Sequence, residues 1–371
     1  MNNFNDFGLS SSILTCLESN NYETPTPIQQ NSIPPLMQGK DLLGIAQTGT
    51  GKTAAFSLPI IDKIIKNKKK MKPARIRNLI VTPTRELASQ IEENIKKYSK
   101  GLNLKTKTIF GGVGKRPQTQ ALSKGVDILI ATPGRLLDLT NEGYVIYNEL
   151  ETFILDEADR MLEFGFINDI KKIISLLPEE RQTLLFSATM PEDIRELSST
   201  ILKAPVTIEV TPESSTVEKI KQTAKYLKQD EKINELTKIA KSNKVKSVLV
   251  FTRTKHGADK VVKRLAKNSV EAAAIHGNKS QGARERALSN FKNQKIKVLI
   301  ATDIAARGID VPHISHVVNF NIPEDPKNYV HRIGRTARAG TQGSAISFYD
   351  DRDLNKLTAI EKVIKQKITR L

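Results

Sequence analysis

Short apolar segments alternate with amphipathic helical segments along almost the whole chain, and this alternation occurs twice. Apolar spacing of 3.6 residues across 86–98 and 255–266 predicts helices, and the short apolar runs between such segments predict buried strands. The predicted strands are 41–46, 78–82, 106–110, 127–131, 152–156, 182–187, 206–210, 247–251, 270–275, 297–302, 316–320 and 344–348. Alternating strands and helices indicate parallel sheets covered by helices on both faces, so we expect an α/β fold.

The alternation lapses once, in a segment rich in Pro, Ser and Thr at 203–217. The net charge changes at the same point, because residues 1–210 carry 26 Lys and Arg against 24 Asp and Glu, whereas residues 211–371 carry 32 against 16. We therefore predict two α/β domains, 1–210 and 211–371, joined by a short linker. The basic second domain indicates a polyanionic partner, with a lysine-rich solvated surface as the alternative.

Composition limits the class of protein further. No apolar segment approaches the ~20 residues of a membrane span, and the N-terminus lacks the basic start and apolar core of a signal peptide, so a cytoplasmic location is expected. The single cysteine, Cys16, excludes an intrachain disulfide and a cysteine-based zinc cluster. Trp is absent and aromatic residues make up 5% of the chain, so a nucleic acid would be held mainly by its backbone.

The segment AQTGTGKT at 46–53 follows the first predicted strand and is typical of a phosphate-binding loop. A glycine-rich turn between a strand and a helix directs backbone N–H groups at phosphate oxygens. In such loops the lysine reaches the β- and γ-phosphates, and the following hydroxyl ligates Mg²⁺. The residues assigned to these contacts are Thr48, Gly49, Thr50, Gly51, Lys52 and Thr53. Taken alone, the segment could also be a simple helix-starting turn.

Two neighbouring carboxylates, Asp156 and Glu157, come at the end of the predicted strand 152–156. An aspartate in this position holds Mg²⁺ through water in nucleotide-hydrolysing sites. Glu157 is placed to orient and deprotonate the attacking water. Because two adjacent carboxylates repel each other, the pair needs a metal ion to offset that repulsion. With the phosphate loop, the pair predicts a nucleotide- and Mg²⁺-binding site.

Further motifs follow in a fixed order along both halves of the chain. They are PTPIQ at 25–29, PTRELA at 83–88, GG at 111–112, TPGR at 132–135, DEAD at 156–159, SAT at 187–189, VFTR at 250–253, HG at 276–277, ATDIAARGID at 301–310 and HRIGRTAR at 331–338. Together with the phosphate loop these motifs resemble those of the DEAD-box RNA helicases, over residues 4 to about 348. Bacterial members with short N-termini are the most similar.

The resemblance implies two tandem RecA-like domains, each a parallel sheet flanked by helices. Residues 1–210 would form the ATP-binding domain, and residues 211–371 the helicase domain with the arginine fingers. It also implies an RNA-dependent ATPase that unwinds short RNA duplexes or remodels RNA–protein complexes. The implied ligands are ATP, Mg²⁺ and RNA.

Several residues are assigned to ATP. The amide of Gln29 can pair with adenine N6 and N7, which favours ATP over GTP. Phe4 can stack on the adenine, although an N-terminal hydrophobic anchor is nearly as good an interpretation. By resemblance Asp310 contacts the ribose. By resemblance also, Arg335 and Arg338 are arginine fingers for the γ-phosphate; lying three residues apart, they are expected on one helical face.

The positions that the resemblance assigns to RNA carry hydroxyls, glycines and arginines, which suit contacts with backbone phosphates. Contacts with the 2′-OH would distinguish RNA from DNA. These positions are Thr84, Arg85, Gly112, Thr132, Gly134, Arg135, Arg253, Gly277, Arg284 and Thr302. The resemblance also assigns coupling of the two domains to Asp159, Ser187, Thr189 and His331. For any single Thr or Gly of the set, a helix cap or a turn is the alternative.

Two positions depart from the family pattern. Ala337 replaces a usual glycine, and we expect it only to stiffen a helix. Asn21 replaces another glycine, and Asn tolerates a left-handed backbone better than most residues. Neither departure argues against the function.

Two other functions stay open at this point. A non-catalytic, ATP-gated RNA clamp is disfavoured because Lys52, Asp156, Glu157 and both arginines are all present. A translocating DNA helicase or a P-loop kinase is disfavoured by the motifs of the second half. No Gly/Arg-rich tail precedes the end at Leu371, so neither the physiological RNA nor protein partners, such as ribosomal or mRNA-decay proteins, can be predicted. We expect a monomeric core.

Overall fold

A computed structural model describes residues 3–47, 49–210, 220–306, 314–337 and 343–371, and the chain divides into two compact units, 1–211 and 212–371. The strands of the first unit are β1 (Leu42–Ala46), β2 (Ile76–Val81), β3 (Thr106–Ile109), β4 (Val126–Ala131), β5 (Thr152–Leu155), β6 (Gln182–Ser187) and β7 (Val206–Val210). Its helices are α1 (Ser11–Glu18), α2 (Pro27–Met37), α3 (Lys52–Lys66), α4 (Arg85–Tyr98), α5 (Arg116–Leu122), α6 (Pro133–Asn141), α7 (Ala158–Glu163), α8 (Ile167–Ser175) and α9 (Glu192–Ile201), preceded by a 3-10 turn at Phe4–Phe7.

The second unit repeats this alternation. Its strands are β8 (Ile220–Tyr226), β9 (Val248–Phe251), β10 (Ala272–Ile275), β11 (Val298–Ala301), β12 (His316–Asn319), β13 (Gly343–Tyr349) and β14 (Thr369–Arg370). Its helices are α10 (Glu231–Lys241), α11 (Lys255–Lys267), α12 (Gln281–Lys292), α13 (Asp303–Ala306), α14 (Pro326–Ile333) and α15 (Leu354–Ile364), with a 3-10 turn at Asp351–Asp353. In the described part of the chain no helix is long and apolar enough to cross a membrane.

Each unit contains one parallel sheet of seven strands, and the two sheets have the same strand order. The order is β3-β4-β2-β5-β6-β1-β7 in the first unit and β10-β11-β9-β12-β13-β8-β14 in the second. Every pairing within these sheets is parallel. The expected α/β architecture is therefore confirmed, and the second unit repeats the topology of the first.

All twelve predicted strands are present, but β8 and β14 were not predicted from the sequence. Strand β8 begins with buried Ile220 and then carries buried Gln222 and Thr223, so it lacks the apolar run of the other strands. It lies beside the two-residue β14, near the edge of the sheet. Its buried Gln222 is hydrogen-bonded, since Oε1 accepts from the Tyr329 hydroxyl at 2.9 Å, and a polar side chain with a partner can be buried in a strand.

Successive residues of the central strands pack into cores on opposite faces of each sheet, as the twofold repeat of a strand requires. In the first unit Ile80, Ile130 and Ile154 belong to one core, whereas their neighbours in sequence, Leu79, Leu129 and Phe153, belong to the other. The second unit follows the same rule with Val250 and Leu249. Helices therefore cover both faces, and the edge at the carboxyl ends of the strands is where such folds bind ligands.

Candidate nucleotide and nucleic-acid site

The phosphate loop connects β1 to the N-terminus of α3. Gly49 and Gly51 have φ values of 92° and 97°, a left-handed region that side chains disfavour. Lys52 is 6% exposed, and its Nζ donates a hydrogen bond to the carbonyl of Ala46 at 2.9 Å. The Thr50 hydroxyl donates to the Gln47 carbonyl at 2.8 Å. The loop is thus folded on itself around its lysine, with the helix N-terminus directed at its opening.

The amide of Gln29 lies against this loop. Its Nε2 donates to the Gly51 carbonyl at 3.1 Å, and its Oε1 accepts from the Thr26 backbone N–H at 2.9 Å. A Cβ on Gly51 would lie 2.5 Å from Gln29 Nε2, so this contact also requires glycine. To pair with adenine, the amide would have to exchange these two bonds. Adenine recognition by Gln29 therefore stays a prediction.

Phe4 is 2% exposed and makes an edge-to-face contact with Phe7, with 5.9 Å between the ring centroids. Both rings belong to the core that also contains residues of α2 and α3. This environment favours the hydrophobic-anchor interpretation of Phe4, and stacking on adenine stays untested.

Asp156 follows β5 and is 2% exposed, and Glu157 follows it in the left-handed region with a φ of 57°. Burial raises the pKa of Asp156 to about 6, with Lys52 acting in the opposite direction and Glu157 adding to the rise. Asp156 Oδ1 is buried and has no hydrogen-bond partner among the residues that the structure describes. A buried carboxylate oxygen without a partner is unfavourable unless a cation compensates its charge.

These features fit a Mg²⁺ ion at Asp156. Within the described ranges no group of three or more His, Cys, Asp and Glu side chains is arranged to hold a metal. Mg²⁺ in nucleotide sites is bound by one or two carboxylates, water and the phosphates of the substrate, and does not need such a cage. Asp156 and the Thr53 hydroxyl, at the start of α3, are the candidate protein ligands.

Asp159, Ser187 and Thr189 form one hydrogen-bonded group at the carboxyl ends of β5 and β6. Asp159 Oδ2 accepts from the Thr189 backbone N–H at 3.0 Å and from its hydroxyl at 2.9 Å. The Ser187 hydroxyl donates to the Thr189 carbonyl at 2.7 Å and accepts from the Asp159 backbone N–H at 3.3 Å. The first three coupling residues are thus brought together within the first unit, while His331 lies at the end of α14 in the second.

The first-unit RNA positions come together at the ends of β2, β3 and β4, which are neighbours in the sheet. Thr84 is the N-cap of α4, and Thr132 is the N-cap of α6. Between them Gly112 lies against the Arg85 guanidinium, since a Cβ there would be 2.2 Å from Arg85 Nη2. Val113 follows Gly112, and its carbonyl accepts a hydrogen bond from Arg135 at 3.4 Å. Gly134 lies in the first turn of α6, and a Cβ built on it would have open space beyond its own helix turn among the described residues.

The second-unit RNA positions follow the equivalent three strands. Arg253 lies two residues after β9, Gly277 two residues after β10, and Thr302 directly after β11. Strands β10, β11 and β9 occupy the same places in their sheet as β3, β4 and β2 in the first. Arg284 lies in α12 and is 8% exposed. Both units therefore place their candidate RNA residues at the same edge of the same fold.

Sequence reasoning did not give a role to Arg332 and Asp303, which organise the second unit's site. Arg332 is 3% exposed, and its Nε and Nη2 donate to the two carboxylate oxygens of Asp303 at 2.5 and 2.7 Å. Its Nη1 donates to Asn319 Oδ1 at 3.1 Å and to the Asn321 carbonyl at 2.8 Å, and the guanidinium lies over the Phe251 ring. Asp303 lies in the motif ATDIAARGID and Arg332 in the motif HRIGRTAR. The presence of both motifs was the sequence signal from which this pair could have been predicted.

The expectation about the helical placement of Arg335 and Ala337 is wrong. Helix α14 ends at Ile333, with Gly334 as its C-cap, so Arg335 lies in the turn beyond the helix. Ala337 has a φ of 56°, a left-handed backbone that glycine adopts at lower cost. Ala337 is buried in the apolar core beside α14, which favours retaining its methyl group. Asn21 also has a positive φ, of 57°, and this confirms the expectation for that position.

Three assigned residues, Thr48, Asp310 and Arg338, lie outside the described residues, as does the Pro/Ser/Thr segment at 211–216. Arg335 is 6% exposed and borders a small cleft with Phe251, Asp303 and His331.

The fold and these sites define two tandem RecA-like units, the first with a phosphate loop and strand-end carboxylates. The sequence profile of the DEAD/DEAH box helicases matches residues 26–197, and that of the helicase conserved C-terminal domain matches residues 231–340. The chain belongs to the DEAD-box helicase family.

Individual relatives support this assignment. The chain is 42% identical over 371 residues to the DEAD-box ATP-dependent RNA helicase CshA of Bacillus cereus, covering 100% of this chain and 70% of that protein. It is 41% identical over 368 residues to CshA of Bacillus subtilis, covering 99% of this chain and 74% of the relative. Among solved structures, S. cerevisiae Dbp5 bound to RNA and ADP BeF3 has a TM-score of 0.87 and 30% identity, covering 100% of this chain and 96% of that one. The DEAD-box helicase Mss116 bound to ssRNA and UDP-BeF has a TM-score of 0.86 and 28% identity, covering 99% and 79%.

Proposed function

We propose that this protein is an ATP-dependent RNA helicase, which binds single-stranded RNA by its backbone and uses RNA-stimulated ATP hydrolysis to separate short duplexes or remodel RNA–protein complexes. The observation that carries this proposal is the buried Asp156 carboxylate, one oxygen of which has no partner among the described residues, at the same sheet edge as the phosphate loop. Such an edge is where parallel α/β sheets bind nucleotides. The relatives named above, which are RNA helicases, supply the identity of the polyanion.

The first unit holds the nucleotide in this proposal. The loop N–H groups and Lys52 bind the phosphates, and Lys52 gives up its bond to the Ala46 carbonyl to do so. Thr53 and Asp156 hold Mg²⁺, which neutralises phosphate charge when bound. Glu157 orients and deprotonates the attacking water. The left-handed backbone of Glu157 at the start of α7 supports this role, because strained residues cluster at active sites.

The second unit supplies the arginine fingers in this proposal. Arg335 and Arg338 stabilise the charge that develops on the γ-phosphate, a contribution of about 10³-fold or more in rate. The bidentate pair of Arg332 and Asp303 fixes the end of α14 and thereby orients Arg335. Asp159, Ser187, Thr189 and His331 couple the two units. Asp310 contacts the ribose, and Gln29 reads the adenine.

RNA binding is shared between the equivalent edges of the two units. Hydroxyls at helix N-caps, close-approach glycines and arginines suit phosphates and 2′-OH groups, so we expect little dependence on base sequence. We expect ATP and RNA each to raise the affinity for the other, because the coupling between two binding sites is reciprocal. One chain carries both halves of the site, so the protein works as a monomer. We place its activity in the cytoplasm, where its proposed substrates are found.

The decisive experiment measures ATP hydrolysis with single-stranded RNA, with DNA of the same sequence, and with neither. We expect strong stimulation by RNA and far less by DNA, because DNA lacks the 2′-OH. Equal stimulation by both nucleic acids would instead support a DNA helicase. A response to neither would support a clamp or a protein partner.

The Glu157→Gln variant separates catalysis from binding. The amide cannot accept a proton from water, so ATP and Mg²⁺ binding should persist while turnover is lost. We expect the variant to remain on RNA longer than the wild type in a dissociation assay with ATP. Hydrolysis at the wild-type rate would show that Glu157 is not the general base.

A further inference from the structure

A cavity of about 240 Å³ lies in the second unit. Its floor is apolar and includes Ile233 of α10, Val261 of α11 and Phe320 just after β12. Its volume is below the roughly 300–1,000 Å³ of pockets that bury drug-sized ligands, so it suits a single aromatic ring system. The cavity also borders Arg253, which belongs to the proposed RNA surface.

The position of the cavity in the sheet is one that binds ligands in other α/β folds. Its mouth lies between the carboxyl ends of β9 and β12, which are paired in parallel. From β9 the chain continues to β10 and β11 on one side, and then crosses to β12 on the other. This is the topological switch point, where crevices at the ends of parallel strands bind ligands. In the first unit the equivalent point lies between β2 and β5, near Thr84 and Asp156.

The rim of the cavity is basic. Lys260 and Arg264 are four residues apart on α11 and therefore lie on one face of that helix. Neither side chain forms an ion pair within the residues described, and none of the residues lining the cavity is acidic. Arg253 completes the rim and pairs with exposed Glu324 at 3.2 Å. The rim therefore retains unneutralised positive charge beside the cavity.

Two side-chain amides supply hydrogen-bonding groups. The backbone N–H of Arg253 donates to Asn321 Oδ1 at 3.2 Å, and the Asn321 Nδ2 makes no hydrogen bond inside the described part of the chain. Gln229, exposed at the mouth, likewise has no side-chain partner there. Asn and Gln amides are the side chains that pair with base edges. An apolar slot with amides at its mouth and cations on its rim has the chemistry of a nucleotide site.

We propose that this cavity binds one nucleotide of the RNA strand beyond the nucleotides held at the motif positions, with its base in the cavity and its flanking phosphates on Lys260 and Arg264. The proposal rests on the proposed function, since it extends the RNA path from Arg253. Continuity with Arg253 and the two amides favour RNA over an acidic peptide, which would use the cations but would leave the amides without a specific role. The strand then leaves the second unit along α11.

The test compares a short single-stranded RNA of about six nucleotides with one of about twelve, bound by the full chain with a non-hydrolysable ATP analogue. The double variant Lys260→Ala/Arg264→Ala should bind the short RNA like the wild type and the long RNA more weakly. Each phosphate neutralised on a single strand contributes about −0.7 to the log–log salt slope, so the double variant should lose about 1.4 from the slope for the long RNA. Over a fourfold rise in salt, the wild type should then lose about sevenfold more affinity than the variant.

Matched controls separate the cavity from general surface charge. Lys263→Ala/Lys267→Ala removes the same charge from the same helix at exposed positions that do not line the cavity. Equal losses in both double variants would overturn the proposal. Gln229→Trp blocks the mouth of the cavity without changing its charge. It should lower the affinity for the long RNA about fivefold or more, which is the effect of losing one stacked base. Replacing one nucleotide of the long RNA by an abasic residue should lower the affinity of the wild type to the same extent. The same replacement should not lower the affinity of Gln229→Trp any further.

The remaining outcomes are also decisive. If Lys260→Ala/Arg264→Ala binds both RNAs normally but binds a labelled poly-glutamate peptide less well than the wild type, the cavity is a peptide site and the proposal is wrong. ATP hydrolysis stimulated by the short RNA should be normal in every variant. If the wild type itself fails to respond to the short RNA, the proposed function has failed, whatever the long-RNA binding shows.

Discussion

Two arginine–aspartate pairs in the second unit have similar hydrogen bonds and opposite burial, which allows a controlled test of what stabilises the catalytic arginine segment. Arg332 donates from Nε and Nη2 to Asp303, with the two side chains 3% and 28% exposed. Arg352 donates from the same two atoms to Asp350, but Arg352 is 81% exposed. The two pairs share the geometry of the guanidinium on the carboxylate, and they differ in burial and in the further contacts of Arg332 with Asn319, Asn321 and Phe251.

Removing Arg332 should be costly. The Arg332→Ala substitution deletes four hydrogen bonds and leaves the Asp303 carboxylate and the Asn319 amide oxygen without their partner. Losing one partner of a buried charge pair costs about 3–5 kcal/mol, because the remaining charge is uncompensated. With a urea dependence of about 1–3 kcal/mol/M, the unfolding midpoint should fall by about 1–5 M. Arg352→Ala should lower the midpoint far less, because water replaces most of what this exposed guanidinium contributes.

The measurement is hydrogen exchange in urea, read by mass spectrometry on peptides of the second unit. Peptides from β9, β12 and α14 should lose protection at lower urea in Arg332→Ala, while those from β1–β7 keep theirs. Arg332→Lys retains the charge but not the planar fork of the guanidinium. Its urea midpoint should therefore lie between those of Arg332→Ala and the wild type. Identical midpoints for Arg332→Ala and Arg352→Ala would refute the argument that burial makes the first pair structurally important.

Three further predictions concern single positions. Gly112→Ala places a Cβ 2.2 Å from the Arg85 guanidinium at a φ of 72°, so RNA affinity should fall several-fold while ATP binding is unchanged; equal affinities would argue against this RNA position. Arg335→Ala should lower RNA-stimulated hydrolysis about 10³-fold and leave nucleotide affinity intact, which single-turnover kinetics and a binding titration can separate. Hydrogen bonds from Arg352 lower the pKa of Asp350 to about 2. Because folding lowers this pKa, the ionised carboxylate stabilises the folded state at pH values above its unfolded-state pKa. This stabilisation is lost as the pH falls toward about 2. Carbon NMR should therefore find Asp350 ionised at pH 3 in the wild type and protonated at pH 3 in Arg352→Ala.

Sequence alone predicted most elements of the fold because their signal is local. Strands β2, β4 and β5 are buried along their whole length, and each contains a run of three or more apolar residues that the sequence alone shows. The predicted helices 86–98 and 255–266 correspond to α4 and α11 within a residue. Strand β8 was not predicted because it carries polar side chains. Its place in the sheet depends on pairing with β13 and β14, which are distant in sequence.

The positive-φ positions show where local reasoning stops. Asn21 was expected in a left-handed backbone because its side chain tolerates one, and its φ is 57°. Ala337 gave no such signal, and a helix was expected. Its conformation is imposed by the end of α14 at Gly334 and by the core in which Ala337 is buried. A tertiary constraint of this kind overrides the intrinsic preference of one residue.

The sequence by itself determined the chemical types at the site, because a phosphate loop and a strand-end acidic pair are contiguous strings with one physical use. Only the tertiary structure decided which separated groups meet. It set Gln29 against Gly51, joined Arg332 to Asp303, and gave both sheets the strand order that brings β2, β3 and β4, or β9, β10 and β11, to one edge. Those contacts span tens of residues and depend on sheet register and burial, which no local pattern encodes.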